Sequence, residues 1–157
     1  MLFDDRDMFC AQEGRLVVVS TRRAPSAAST ERFATGLRRH AAIHPDDERL
    51  FLFLALGAER PRLDPDARTA LVDVWRDPGH RYTLAIWARR QSFAGAIQRS
   101  LITALSLLRV NEAPMRVVDG YAAALRWFEN IEPDAAAAHQ AWASMLASVP
   151  DFQAPSS

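Results

Sequence analysis

Residues 50–56 read LFLFLAL, an unbroken apolar run of strand length near the middle of the chain. A polar turn follows, and Asp64-Pro65-Asp66 then favours a helix start: an N-cap acceptor, a proline at the first helical position and an acid near the positive end of the helix dipole. Because no polar residue interrupts the apolar run, both faces of this strand must be covered, which predicts a position at the centre of a sheet.

A second strand completes a β-α-β unit around this run. The helix carries apolar residues at helical spacing until Asp77-Pro78-Gly79 ends it, and residues 82–87, YTLAIW, have the composition of a strand. The links between these elements are short. We therefore expect two parallel strands joined by a right-handed crossover.

Strands and helices alternate along the rest of the chain. Two β-prone runs, 8–12 and 15–21, flank Glu13-Gly14 and predict a hairpin whose first strand lies at a sheet edge. The other predicted elements are helices from Ser26 or Ser29 to about His44, over 92–110, over 120–130 with Asp119 as its cap, and over 133–149, and a strand at 114–118. This order predicts an α/β fold: a single layered domain with a mixed, mostly parallel sheet, an N-terminal β-hairpin and an extra C-terminal helix.

The domain boundaries follow from the same pattern. We expect an α/β domain over residues 8–130, a C-terminal helix at 131–149 packed on it, and a flexible tail at 150–157. The sequence leaves the order of the strands open. It also leaves open whether the C-terminal helix packs on its own sheet or on a neighbouring molecule.

Composition limits the partners and the compartment. The formal net charge of the 157-residue chain is zero, which argues against general attraction to nucleic acid or to an anionic membrane. No apolar run approaches the roughly 20 residues that span a bilayer, and the acidic N-terminus lacks a signal-peptide core. We therefore expect a cytoplasmic protein without a nucleic-acid or membrane partner. Cys10 is the single cysteine, so no intrachain disulfide can form.

Motifs for catalysis and for metal binding are missing from the sequence. It contains no G-x-S-x-G elbow, no GxxxxGK[ST] phosphate loop and no GxGxxG fingerprint. The four histidines share no metal-ligand spacing with acids, and the pair His40 and His44 is typical of a solvated helix end. These observations predict a protein that is not an enzyme and that has no cofactor and no metal.

Arginines follow three of the predicted strands, and all nineteen basic residues of the chain are arginine. Ligands of parallel α/β sheets collect outside the carboxyl ends of the strands, where helix N-termini also favour anions. The candidate ligand-binding residues at this edge are Arg23, Arg60, Arg62, Arg89 and Arg90. The alternative is that they are ordinary polar loop residues in a protein without lysine.

The predicted helix 92–110 has more apolar surface than one sheet face needs. Its core stripe is widened by Ile102 and Leu107. This excess predicts contact with a protein partner or with a second copy of the chain in a homodimer. The alternative is contact with the C-terminal helix.

Three features of the chain resemble the STAS-like domains, which are related to anti-anti-sigma factors. They are the hairpin 8–21 leading into a helix, the apolar strand with its loop and helix at 50–75, and the segment RVVDGYAAALRWF at 116–128. The last is similar to the family's ending, in which a strand and an acidic turn precede an Ala-Leu-x-Trp-Leu helix. The resemblance covers about residues 8–130 and implies a bacterial regulatory protein without catalytic activity.

The chain departs from that family where its members are phosphorylated, a serine at the start of the second helix. No Ser or Thr occurs from Gly57 to Asp66, and Thr69 lies one turn inside the helix. Asp64 or Asp66 could supply a permanent negative charge towards a partner, although helix capping accounts for them equally well. Divergent family members without the serine are scaffolds or bind small apolar or anionic molecules, and the resemblance implies that this chain is similar to those.

Two functions are consistent with these observations. The first is a non-catalytic regulatory or scaffold domain that binds a protein partner through Asp64, Asp66, Ile102 and Leu107. The alternative is a binding protein for a small anionic ligand at the arginine-rich edge of the sheet. The four tryptophans are expected in the core and not in a ligand cage.

Overall fold

The computed structural model describes residues 2–57, 65–78, 81–88 and 114–149. The strands are β1 (Phe3–Asp4), β2 (Met8–Glu13), β3 (Leu16–Thr21), β4 (Leu50–Leu56), β5 (Tyr82–Ala88) and β6 (Met115–Val117). The helices are α1 (Ala27–Ala42), α2 (Pro65–Arg76), α3 (Tyr121–Ile131) and α4 (Ala136–Ala147). The helix predicted over 92–110 lies outside the described residues. Among the described helices, none is long and apolar enough to cross a membrane.

The strands form one six-stranded sheet in sequential order, β1-β2-β3-β4-β5-β6. Strands β1, β2 and β3 are antiparallel neighbours, and β3 to β6 run parallel to one another. This confirms the predicted α/β fold with a mixed, mostly parallel sheet, an N-terminal hairpin and an extra C-terminal helix. Strand β4 lies between β3 and β5, which confirms its predicted central position.

The prediction that β2 forms the sheet edge is wrong. The two-residue strand β1 pairs with β2 on its outer side, and Met8 to Ala11 are all buried. The sequence of β1 is too short to show a strand pattern, so its pairing could only be seen in the fold. A short edge strand also exposes few unpaired backbone groups to other chains.

The hairpin turn lies one residue later than the sequence suggested. Glu13 pairs with Leu16, so the two linking residues are Gly14 and Arg15 and not Glu13 and Gly14. Gly14 has a φ of 51°, a left-handed conformation that glycine adopts without steric cost. The shift matters because it places the Gly14 carbonyl and the Arg15 side chain at the start of β3.

Helices cover both faces of the sheet, in an order that the crossover rule explains. Right-handed crossovers that add parallel strands in one direction place α1 and α2 on the same face. The first core therefore joins α1 and α2 to alternate strand residues such as Leu50 and Leu52. The second core joins α3 and α4 to the residues between them, including Phe51 and Phe53. The C-terminal helix thus packs on its own sheet.

Two predicted caps can be compared with the structure. The side chain of Ser26 accepts a hydrogen bond from the backbone N–H of Ser29, so Ser26 and not Ser29 caps α1. The prediction that Asp119 caps the next helix is wrong, because the N-cap of α3 is Gly120 and no side chain bonds there. Gly120 has a φ of 143°, which favours glycine at this position.

Alanine substitutions at two glycines, Gly36 and Gly57, test the packing described above. Gly36 lies in the middle of α1, and a Cβ there would meet only Leu2 Cδ1, at 3.5 Å. We expect Gly36→Ala to raise the free energy of unfolding by about 0.5–1 kcal/mol, because alanine restricts the unfolded chain and favours the helix. Urea unfolding measures this change.

Gly57 supplies the opposite case. A Cβ at this position would lie 2.4 Å from the carbonyl oxygen of Thr21, whose hydroxyl accepts a hydrogen bond from the Gly57 N–H at 2.8 Å. Gly57→Ala must separate the ends of β3 and β4, so we expect a loss of about 1–3 kcal/mol. Equal effects of the two substitutions would contradict the described packing.

Candidate functional site

The carboxyl end of β3 holds an ion pair that involves one of the candidate ligand-binding arginines. Arg23 Nε donates a hydrogen bond to Asp7 Oδ1 at 2.6 Å, and Asp7 is buried. The other oxygen of Asp7 accepts from the Ser26 backbone N–H at 3.0 Å and from the Ser29 hydroxyl at 2.8 Å. The N-terminus of α1 is therefore an anion site, as its position predicts, but the protein's own carboxylate occupies it.

These contacts determine the charge of Asp7. Burial by itself would raise the pKa of this carboxyl, but the hydrogen bonds from Ser26, Ser29 and Arg23 outweigh burial and hold its pKa well below the ordinary value of 3.8. Asp5 extends the same network, because its carboxylate accepts from Arg32 at 3.0 Å and also lies 3.0 Å from the Ser29 hydroxyl oxygen. The network ties the N-terminal segment to the start of α1.

Most of the other candidate residues lie outside the described residues. They are Arg60, Arg62, Asp64, Arg89, Arg90, Ile102 and Leu107. Among the arginines of the predicted ligand edge, Arg23 is described, and it is engaged by Asp7. The ligand-binding alternative therefore depends on the four other arginines and stays a prediction.

Asp66 is described, and it belongs to an exposed acidic face of α2. This face comprises Asp66, Thr69 and Asp73 together with Asp77 just beyond the helix, all of which are exposed, and the exposed Arg76 borders it. Their spacing of three or four residues places them on one side of the helix. The opposite side carries Val74 and Trp75, which are buried in the first core, so α2 cannot rotate to cover its acids.

Thr69 is the hydroxyl-bearing residue of α2, and its side chain is hydrogen-bonded within the helix. Its hydroxyl donates a hydrogen bond to the Pro65 carbonyl at 3.0 Å, the common i−4 contact of a helical threonine. The acids of the face, in contrast, carry their charge without any modification. The arrangement is able to attract a cationic surface by charge alone.

The amino end of the parallel strands, opposite the predicted ligand edge, contains a histidine whose burial the sequence did not reveal. His40 is 1% exposed; its Nδ1 lies 2.7 Å from the Tyr82 hydroxyl and its Nε2 lies 2.8 Å from the Gly14 carbonyl. Burial lowers the pKa of His40, which favours the neutral ring. The interpretation of His40 as part of a solvated helix end is wrong. Its spacing from Phe33 and Leu37 on the apolar face was the available signal.

A chain of polar contacts continues from this histidine across the edge of the sheet. His44 Nδ1 lies 2.8 Å from Glu48, and Glu48 also pairs with Arg15 Nε at 3.6 Å. Arg15 donates a hydrogen bond to Glu132 at 2.7 Å, at the end of α3. This chain connects the ends of α1 and α3, and within the described residues the second carboxylate oxygen of Glu132 is buried without a hydrogen-bond partner.

Within the described part of the chain, no three His, Cys, Asp or Glu side chains converge as metal ligands do. Cys10 is buried, and burial raises the pKa of its thiol to about 12, so the thiol stays protonated at neutral pH. Comparisons of the chain with protein-family models, with curated proteins and with solved structures give no significant match.

Proposed function

We propose that the protein is a non-catalytic regulatory or scaffold domain, similar to the STAS-like domains, that binds a protein partner. The exposed acidic face of α2 is the observation that carries this proposal. It begins at Asp66, within the strand–loop–helix segment 50–75 that carries part of the family resemblance. The partner would present a basic surface to this face.

The charge on this face favours specific docking over general attraction. Its three acids, Asp66, Asp73 and Asp77, outnumber the exposed Arg76 on this side of α2, whereas the whole chain has no net charge. A local negative face on a neutral protein speeds encounter with a basic surface and disfavours acidic surfaces. Because the opposite side of α2 is buried, the spacing of these charges is held fixed by the core.

A charge-reversal experiment tests this proposal. Asp73→Arg reverses the centre of the acidic face, and Asp47→Arg is the matched control, an exposed acid on the loop before β4. Tagged wild-type protein and both variants would be cross-linked in cells and purified with their bound proteins. We expect one partner to be enriched by the wild type and by Asp47→Arg but not by Asp73→Arg.

The purified partner then gives the quantitative result. We expect Asp73→Arg to raise the dissociation constant of the complex with this partner by at least about tenfold, since like charges across an interface are strongly unfavourable. Binding of the wild type should also weaken as salt is raised, because salt screens exposed charges. Equal binding by the wild type and both variants would contradict docking through α2.

A further inference from the structure

An open groove lies along the outer side of α1, next to β1 and away from the exposed acidic face of α2. Its volume is about 480 Å³, within the range of about 300–1,000 Å³ that is typical of small-molecule sites. Its lining includes the apolar side chains of Leu2, Phe3 and Ala28, the backbone at Gly36, and the polar side chains of Thr35 and Arg39. The groove thus has an apolar part and a charged part.

Gly36 keeps part of the groove floor free of a side chain. A glycine in the middle of a helix destabilises it, and packing among the described residues does not require one here. A Cβ on Gly36 would only touch Leu2 Cδ1 at an ordinary distance of 3.5 Å. Gly36 is itself buried and contributes only backbone to the floor of the groove, where a side chain would take up space next to Leu2.

The charges around the groove indicate which chemical class of molecule fits there. Arg32 is paired with Asp5 at 3.0 Å, and Glu31 lies 3.7 Å from Arg38. Arg39 is exposed and, within the described part of the chain, makes no ion pair or side-chain hydrogen bond. A guanidinium beside an apolar floor can bind a carboxylate through two parallel hydrogen bonds.

We propose that this groove binds a small amphipathic carboxylate. Its carboxylate pairs with Arg39, and its hydrocarbon part lies against Leu2, Phe3 and Gly36. This site is separate from the predicted ligand edge at the carboxyl ends of the strands, where Asp7 engages Arg23. It is also independent of the proposed docking through α2, so either proposal can fail without the other.

The probe is decanoate, with decanol as a matched molecule that has no charge. Titration into the full chain is followed by calorimetry and by the backbone amide shifts of Phe3 and Gly36 in NMR spectra. We expect saturable binding of one decanoate and shifts confined to this groove. Decanol should bind at least about tenfold more weakly, because it cannot form the charged pair with Arg39.

Three variants locate the site. Arg39→Gln removes the charge and should weaken decanoate binding by at least about tenfold, while Arg126→Gln, at an exposed arginine of α3 on the other face of the sheet, should leave binding unchanged. Ala28→Leu places a larger side chain at the groove and should weaken decanoate and decanol alike. Both Ala28 and Arg39 are exposed, so these changes leave the core intact.

Gly36→Ala separates binding from folding, because it should stabilise the protein and still weaken decanoate binding by filling the space at α1. The proposal is overturned if decanoate does not bind saturably, or if Arg39→Gln and Arg126→Gln bind it equally. Shifts at residues remote from Phe3 and Gly36 would also overturn it, since they would place decanoate elsewhere.

Discussion

Replacing Trp142 with alanine is expected to lower the free energy of unfolding by about 3–5 kcal/mol. Trp142 is 1% exposed and lies in the second core, where its ring centroid is 4.7 Å from that of Phe51 and 6.4 Å from that of Phe128. The Arg15 guanidinium lies 5.7 Å from the same ring. The substitution therefore removes a large apolar side chain and a cation–π contact, and leaves a cavity under β4.

Chemical denaturation followed by circular dichroism measures this loss. The matched control is Tyr121→Ala on α3, because Tyr121 is 48% exposed and its loss should change stability by no more than about 0.5 kcal/mol. A small effect of Trp142→Ala would mean that α4 does not form part of the core. The second face of the sheet would then need another cover.

Asp7→Asn is expected to lower the free energy of unfolding by about 1.5–3 kcal/mol at neutral pH, the range for hydrogen bonds to a charged group. Asparagine keeps the shape of the side chain but removes the negative charge that Arg23 and the α1 N-terminus contact. The amide group of asparagine would also point its N–H hydrogens at groups that donate hydrogen bonds to Asp7. Asp47→Asn, at an exposed position, is the control and should have little effect.

The effect of pH separates the charge of Asp7 from its shape. The folded pKa of Asp7 lies below its unfolded value of about 3.9, so between the two values the unfolded chain binds the extra proton. The stability that Asp7 contributes is therefore fully present above about pH 4 and is lost as the pH falls towards the folded pKa.

We expect the stability difference between the wild type and Asp7→Asn to be constant from about pH 7 to 5 and to shrink below about pH 4. His40, whose folded pKa is also lowered, makes both proteins less stable as the pH falls below about 6.5, so its contribution cancels in the difference. Urea unfolding at a series of pH values measures the difference. If the stability difference between the two proteins stayed constant down to pH 3, the charge of Asp7 would not contribute to it.

Local sequence patterns were sufficient for most of the elements. The uninterrupted run at 50–56 predicted a strand covered on both faces, and its alternate residues do enter two different cores. The residues around Asp64-Pro65-Asp66 predicted the start of α2, which begins at Pro65. These predictions succeed because periodic burial and helix-end chemistry depend on neighbours within a few residues.

The candidate sites were harder to predict, because they depend on residues far apart in the chain. Arg23 could be assigned to a strand end from sequence, but its partner Asp7 lies 16 residues earlier and reaches it only through the β2–β3 pairing. His40 contacts Tyr82, which is 42 residues away. No local pattern records such distances.

The sequence by itself determined strands β2 to β6 and the four described helices, the central position of β4 and the need to cover both faces of the sheet. The tertiary structure alone decided the strand order, the addition of β1, the packing of α4 on its own sheet and the use of Asp7 at the N-terminus of α1. The physical reason is that burial patterns specify which side chains must be enclosed, whereas strand pairing and helix crossing decide which residues enclose them.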